Sequence, residues 1–165
     1  MKIVIVDDRP FLMWETIEKL KGMGVKEIVM LYFHGIFTYY PDRDSEIEKK
    51  CAQLGVSLFH LELNTDLMER LDVYCAEENT LIFIDWSLGD TDIFEERVDI
   101  IYAKKKIQSG RFPIWFYTVG DVRIVNKLNR IFNNHTIPVV RFIPQKGMLE
   151  LDYDYIRNKI LNRQA

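Results

Sequence analysis

The chain has 165 residues, 48% of them apolar and 28% charged, the profile of one folded domain with enough chain for a core. Its net charge of −3 offers no basic surface for nucleic acid. The first apolar run stops at Asp7-Asp8, too soon for a signal-peptide core. The longest uncharged stretch, 28–41, is interrupted by His34 and Gly35 and is too short to span a membrane.

Residues 2–6, Lys-Ile-Val-Ile-Val, form a β-branched apolar run of the kind that is buried on both faces of a parallel sheet. Arg9-Pro10 breaks it, and proline suits a helix start. Leu12, Trp14, Thr16, Ile17 and Leu20 then recur at helical spacing over 11–21, with Gly22 and Gly24 as stop signals. A strand is expected over 27–33, followed by an irregular aromatic stretch, 34–44. Residues 45–54 read as a helix stopped by Gly55, 56–63 as a strand, and Asn64-Thr65 as the cap of a helix over 66–78. The run 81–85, Leu-Ile-Phe-Ile-Asp, is the central strand. A helix over 94–109 carries Lys104, Lys105 and Lys106 on a solvated face. A strand over 112–118, a helix over 121–132, a strand over 137–143 and a closing helix over 148–162 complete the chain. Strands alternate with helices throughout, which predicts a three-layer α/β fold on a mainly parallel, doubly wound sheet with right-handed crossovers.

Cys51 and Cys75 lie far apart in expected helices and read as two reduced thiols of a cytosolic protein. His34, His60 and His135 have no metal-ligand spacing and read as ordinary core or surface histidines.

In a parallel sheet the carboxyl ends of the strands share one edge, where ligands bind. The first strand delivers Asp7 and Asp8 there, the central strand Asp85, the next Thr118 and the last Lys146. Three neighbouring carboxylates repel one another, and a divalent cation with oxygen ligands and retained waters, Mg²⁺, relieves the repulsion. A hydroxyl and an ammonium beside it stabilise a phosphoryl group, and a carboxylate can itself become the nucleophile, giving an aspartyl phosphate.

Val-Asp-Asp-Arg-Pro-Phe-Leu at 6–12 resembles the first strand and acidic pair of response-regulator receiver domains. Ile-Asp-Trp-Ser-Leu-Gly-Asp at 84–90 resembles their phosphoacceptor strand and loop. Thr118 and Lys146 match the residues closing their fourth and fifth strands. The resemblance implies a flavodoxin-like, receiver-like sheet of five core strands plus one extra strand, in a single domain over 1–165. It implies that Asp85 accepts a phosphoryl group from the phosphohistidine of a histidine kinase or phosphotransfer protein. It implies Mg²⁺ held by Asp8, Asp85 and the Ser87 carbonyl, with Asp7 acting through a metal-bound water. Thr118 and Lys146 are then expected to contact phosphoryl oxygens and report the phosphorylated state. The setting is cytoplasmic, and output runs through contact with another protein or a second copy of the chain.

Residues 34–64 form an insertion relative to that family. Its helix-strand unit either extends the sheet edge or displaces the 27–33 strand. Phe33 just before the insertion and its own Phe37, Tyr39 and Tyr40 either enter the core, the favoured account, or build an interface. Val119, Ile143 and Gly147 stand where receivers usually carry a small residue, a switching aromatic and a proline. These departures support an alternative reading, a receiver-like interaction module that works without phosphorylation through the inserted unit. A Mg²⁺-dependent phosphohydrolase of the haloacid-dehalogenase type is disfavoured, because Ser87 stands where that class has its second aspartate.

Overall fold

The computed structural model describes residues 1–34, 41–62, 64–77, 79–85, 114–118, 126, 139–143 and 147–161. The expected helices over 94–109 and 121–132 lie outside this set, apart from Asn126, which is helical.

Strands β1 (Lys2–Asp7), β2 (Glu27–Phe33), β3 (Ser57–Leu61), β4 (Thr80–Asp85), β5 (Ile114–Thr118), β6 (Val139–Ile143) and β7 (Met148–Leu149) form one sheet in the order β3-β2-β1-β4-β5-β6-β7. Every pairing is parallel except that of β6 with β7. The β-branched runs behave as their composition demands. In β1 every residue from Ile3 to Asp7 is buried, and so is every residue of β4. Such strands have no solvated face, so helices must cover the sheet on both sides.

One face is set by the row Ile3, Ile5, Ile28, Met30, Leu81, Phe83 and Trp115, which packs with Met13, Ile17 and Leu20. The last two belong to α1 (Trp14–Gly22), which is preceded by a 3-10 turn, Pro10–Met13. The polypeptide leaves α1 through Gly24 at φ 94°, and Val25 N–H donates to Leu20 O at 3.1 Å, a left-handed helix stop that favours glycine. Helix α2 (Pro41–Leu54) adds Ile47 and Cys51 to the same core. Alternate residues Val4, Val6, Val29, Leu31, Ile82 and Ile84 point to the other face and are also buried. The connection from β3 to β4 reverses direction across the sheet, which with right-handed crossovers moves its helix, α3 (Asn64–Ala76), to that second face.

The 34–64 stretch extends the sheet edge: β2 keeps its place beside β1, and β3 pairs outside it in the register Tyr32↔His60. Phe33 is buried, whereas Phe37, Tyr39 and Tyr40 lie outside the described residues. Cys51 and Cys75 are free and buried, each in a helix.

The chain after Gly147 departs from the expected closing helix. Met148 and Leu149 pair antiparallel with β6, and the final helix, α4 (Tyr153–Leu161), begins only at Tyr153. Its start is set by Asp152, whose Oδ1 accepts from Tyr155 N–H at 2.8 Å, an N-cap that apolar periodicity does not reveal. Leu149 N–H donates to Thr16 Oγ1 at 2.9 Å, tying β7 to α1. Among the described residues no helix is long and apolar enough to cross a membrane.

Candidate functional site

Strand order decides where a site can form. From β1 the chain steps to β2 and β3 on one side, and from α3 it returns to β4, β5 and β6 on the other. The crevice between the carboxyl ends of β1 and β4 is therefore the topological switch point, where open α/β sheets bind ligands. The register Val6↔Ile84 brings Asp7 level with Asp85, and Asp85 is level with Tyr117 of β5. Three of the residues expected from the sequence meet here. One carboxylate oxygen from each of Asp7, Asp8 and Asp85 can be chosen so that all lie within 4.8 Å of one another.

Asp7 and Asp85 are each 1% exposed, while Asp8 stands at the mouth with its side chain 15% exposed. Asp7 is gripped at both oxygens. Its Oδ1 accepts from Arg9 N–H at 2.6 Å, a local turn of the kind aspartate makes two residues ahead of itself. Its Oδ2 accepts from the Tyr117 hydroxyl at 2.5 Å, and the same hydroxyl lies 3.2 Å from Val6 O. Burial pushes the Asp7 carboxyl well above the usual carboxylate range, and the charge of Asp85 pushes it the same way. The bonds from Tyr117 and Arg9 oppose them and are outweighed. Burial, with Asp7 and Asp85 alongside, likewise drives the Tyr117 phenol well above its ordinary value, so it remains a donor.

Arg9 supplies the local counter-charge. Its guanidinium lies 3.6 Å from Asp85 Oδ2 through NH2 and 3.4 Å from Asp8 Oδ1 through Nε. Both contacts exceed the about 2.7–2.9 Å of a tight charge-assisted hydrogen bond. They compensate charge without clamping the carboxylates. Burial disfavours the Arg9 charge, yet Asp85, Asp8 and Asp7 more than offset this and raise its pKa. Among the described residues, with all groups ionised, the three carboxylates face the Arg9 guanidinium. Hard carboxylate oxygens at this spacing suit a divalent cation with oxygen coordination.

The remaining expected residues stand differently. Thr118 closes β5, one position beyond the Asp85↔Tyr117 pair. Its side chain, Ser87 and Lys146 lie outside the described residues, as does Val119. Ile143 ends β6, and Gly147 takes φ 60° ahead of β7.

Sequence reasoning missed Arg9 and Tyr117. Arg9 had a local signal, a cation placed directly after an acidic pair. Tyr117 had a weaker one, since a period of two places it on the face of Trp115 rather than with Thr118. Helix α2 approaches the turn after the acidic pair: the Arg43 guanidinium sits 5.2 Å from the ring centre of Phe11, a residue 40% exposed. No family model matches the chain, and comparisons with curated proteins and with solved structures gave no match.

Proposed function

We propose that the protein is a receiver-type phosphoacceptor, in which Asp85 takes a phosphoryl group from the phosphohistidine of a partner kinase or phosphotransfer protein. The observation that carries the reading is the convergence of Asp7, Asp8 and Asp85 at the switch point between β1 and β4. The order β2-β1-β4-β5-β6 within the sheet supports a flavodoxin-like, receiver-like core to which β3 is added at the edge.

In this reading an oxygen of Asp85 attacks phosphorus in line, the phosphorus–nitrogen bond of the donor breaks, and its electron pair returns to the imidazole. Asp8 and Asp85 would hold Mg²⁺ together with the Ser87 carbonyl, and Asp7 would act through a metal-bound water, as the resemblance implies. When bound, the cation neutralises charge on the transferring phosphoryl oxygens. Burial of Asp85 excludes competing water, and Arg9 adds positive charge at the mouth. Thr118 and Lys146 are assigned to the phosphoryl oxygens on the resemblance alone. The setting proposed is cytoplasmic, with output by protein contact.

A phosphorylation-independent interaction module is the second reading. It is favoured by the Arg9 guanidinium beside Asp85, a counter-charge that serves the acidic cluster without any ligand. Intact-protein mass after incubation with acetyl phosphate and Mg²⁺ separates the two. A single phosphate adduct on the wild type and none on Asp85→Asn supports the phosphoacceptor. No adduct on either, while a known receiver is labelled alongside, supports the interaction module.

A further inference from the structure

The inserted unit is fastened to the rest of the sheet by a contact whose chemistry allows only certain protonation states. His34 follows β2 and is 7% exposed; His60 lies within β3, the edge strand. His34 Nε2 and His60 Nδ1 are 2.6 Å apart, with ring centres 4.9 Å apart and planes at 16°. A nitrogen–nitrogen contact this short needs one N–H donor and one lone pair. Two neutral rings satisfy it, and so do one neutral and one protonated ring. Two imidazoliums cannot: both facing nitrogens would carry a proton, and two positive charges would lie in contact.

The charged groups around the pair are chiefly carboxylates. From α2, Asp44 Oδ2 lies 3.8 Å from His34 Nδ1, and Glu48 Oε1 lies 3.3 Å from His60 Nε2. From β2, the Tyr32 ring lies 4.1 Å from that of His34 and 5.5 Å from that of His60, while its hydroxyl donates to Asp44 Oδ1 at 2.9 Å. Arg43 of α2 acts on Tyr32, and Glu62 just after β3 acts on His34. Among the described residues these are the charged and titratable groups that face the pair. Burial holds His34 below the usual imidazole value; Asp44 and Glu62 oppose that, and His60 reinforces it.

We infer that His34 and His60 form a pH-sensitive clasp, closed near neutral pH and opened on mild acidification, which controls how firmly β3 is held against β2. The main-chain ladder, including His34 N–H to Leu61 O at 2.9 Å, remains available in both states, so opening loosens the edge rather than unfolding the sheet. Asp8 of the acidic cluster acts on Tyr32 beside the pair; the clasp itself is the His34–His60 contact and does not rest on the reading of Asp85 as a phosphoacceptor.

Side-chain imidazole NMR and amide hydrogen exchange test this on the full chain at about pH 7.5 and about pH 5.5, the range in which histidine changes charge. His60→Gln and His34→Gln keep a hydrogen-bonding group and remove one titration. The wild type is expected to show complementary tautomers sharing one proton at the higher pH and two imidazoliums at the lower. Its β3 amides should then lose protection about tenfold relative to β1, after correction for intrinsic exchange, the equivalent of about one pKa unit. Neither glutamine variant should show that pH-dependent loss. Unchanged β3 protection in the wild type overturns the inference, as does an equal loss in the variants. Independent titration of the two rings does the same, and this spectrum decides the matter alone if a variant does not fold.

Discussion

The Tyr117 hydroxyl on β5 donates to Asp7 Oδ2 on β1 at 2.5 Å, reaching past the intervening strand β4. Both residues are buried, and Asp85 lies between them in the same row of the sheet. A carboxylate so placed depends on its donors, because water does not replace them. Tyr117→Phe removes one and leaves the buried oxygen without that donor, so the folded state should lose about 1–3 kcal/mol at neutral pH. Urea denaturation against the wild type measures it, and a loss below the error of the method would remove this bond from the stability of the site.

Asp7 has a definite pH signature. Its carboxyl is raised in the folded state, chiefly by burial and then by Asp85, so the folded protein binds that proton more tightly than the unfolded chain does. The Asp7 contribution is therefore favourable at low pH. It is lost as pH rises from the unfolded aspartate value through the raised one. Asp7→Asn should abolish this component and stabilise the cation-free protein at neutral pH relative to low pH. Thermal melts of both proteins across the acid-to-neutral range, in chelator, test the sign.

Arg9→Gln probes the counter-charge at the mouth of the site. The guanidinium stands 3.4 Å from Asp8 and 3.6 Å from Asp85 and is partly exposed, so its influence is that of a screened ion pair. Removing it should tighten Mg²⁺ binding by a factor of about two to five, the effect of roughly 0.5–1 kcal/mol. Titration calorimetry reads this directly. Weaker binding in the variant would mean that Arg9 organises the carboxylates instead of competing for them.

Thr16 tests the attachment of the last strand. Its hydroxyl is fully buried and accepts from Leu149 N–H at 2.9 Å. Thr16→Val retains the shape and strands that amide, so a loss of about 1–3 kcal/mol is expected. Faster exchange confined to Leu149 and α4, with α1 unchanged, would place the damage at β7. Uniform loss across the sheet would place it in the core.

The element types in the described part of the chain were readable because their signals are local. A buried parallel strand must be a short β-branched run, and 2–6, 27–33 and 81–85 are such runs. Gly24 and Gly55 mark helix stops because a left-handed residue is needed there. Met148-Leu149 misled for the same reason: the two residues fit a helical stripe, and only pairing with β6 and the Asp152 cap assign them to a strand ahead of the helix. Asp7, Asp8 and Asp85 were recoverable because each ends an apolar run, and parallel strands carry their carboxyl ends to one edge.

By itself, then, the sequence determined the alternation of strands and helices and the acids at two strand ends, since both follow from hydrophobic period and from what can terminate a buried strand. Only the tertiary structure decided that β3 extends the sheet edge, that Tyr117 holds Asp7, and that His34 meets His60. Those pairs are separated by 110 and 26 residues, and the sheet's strand order, not any local propensity, brings them into hydrogen-bonding distance.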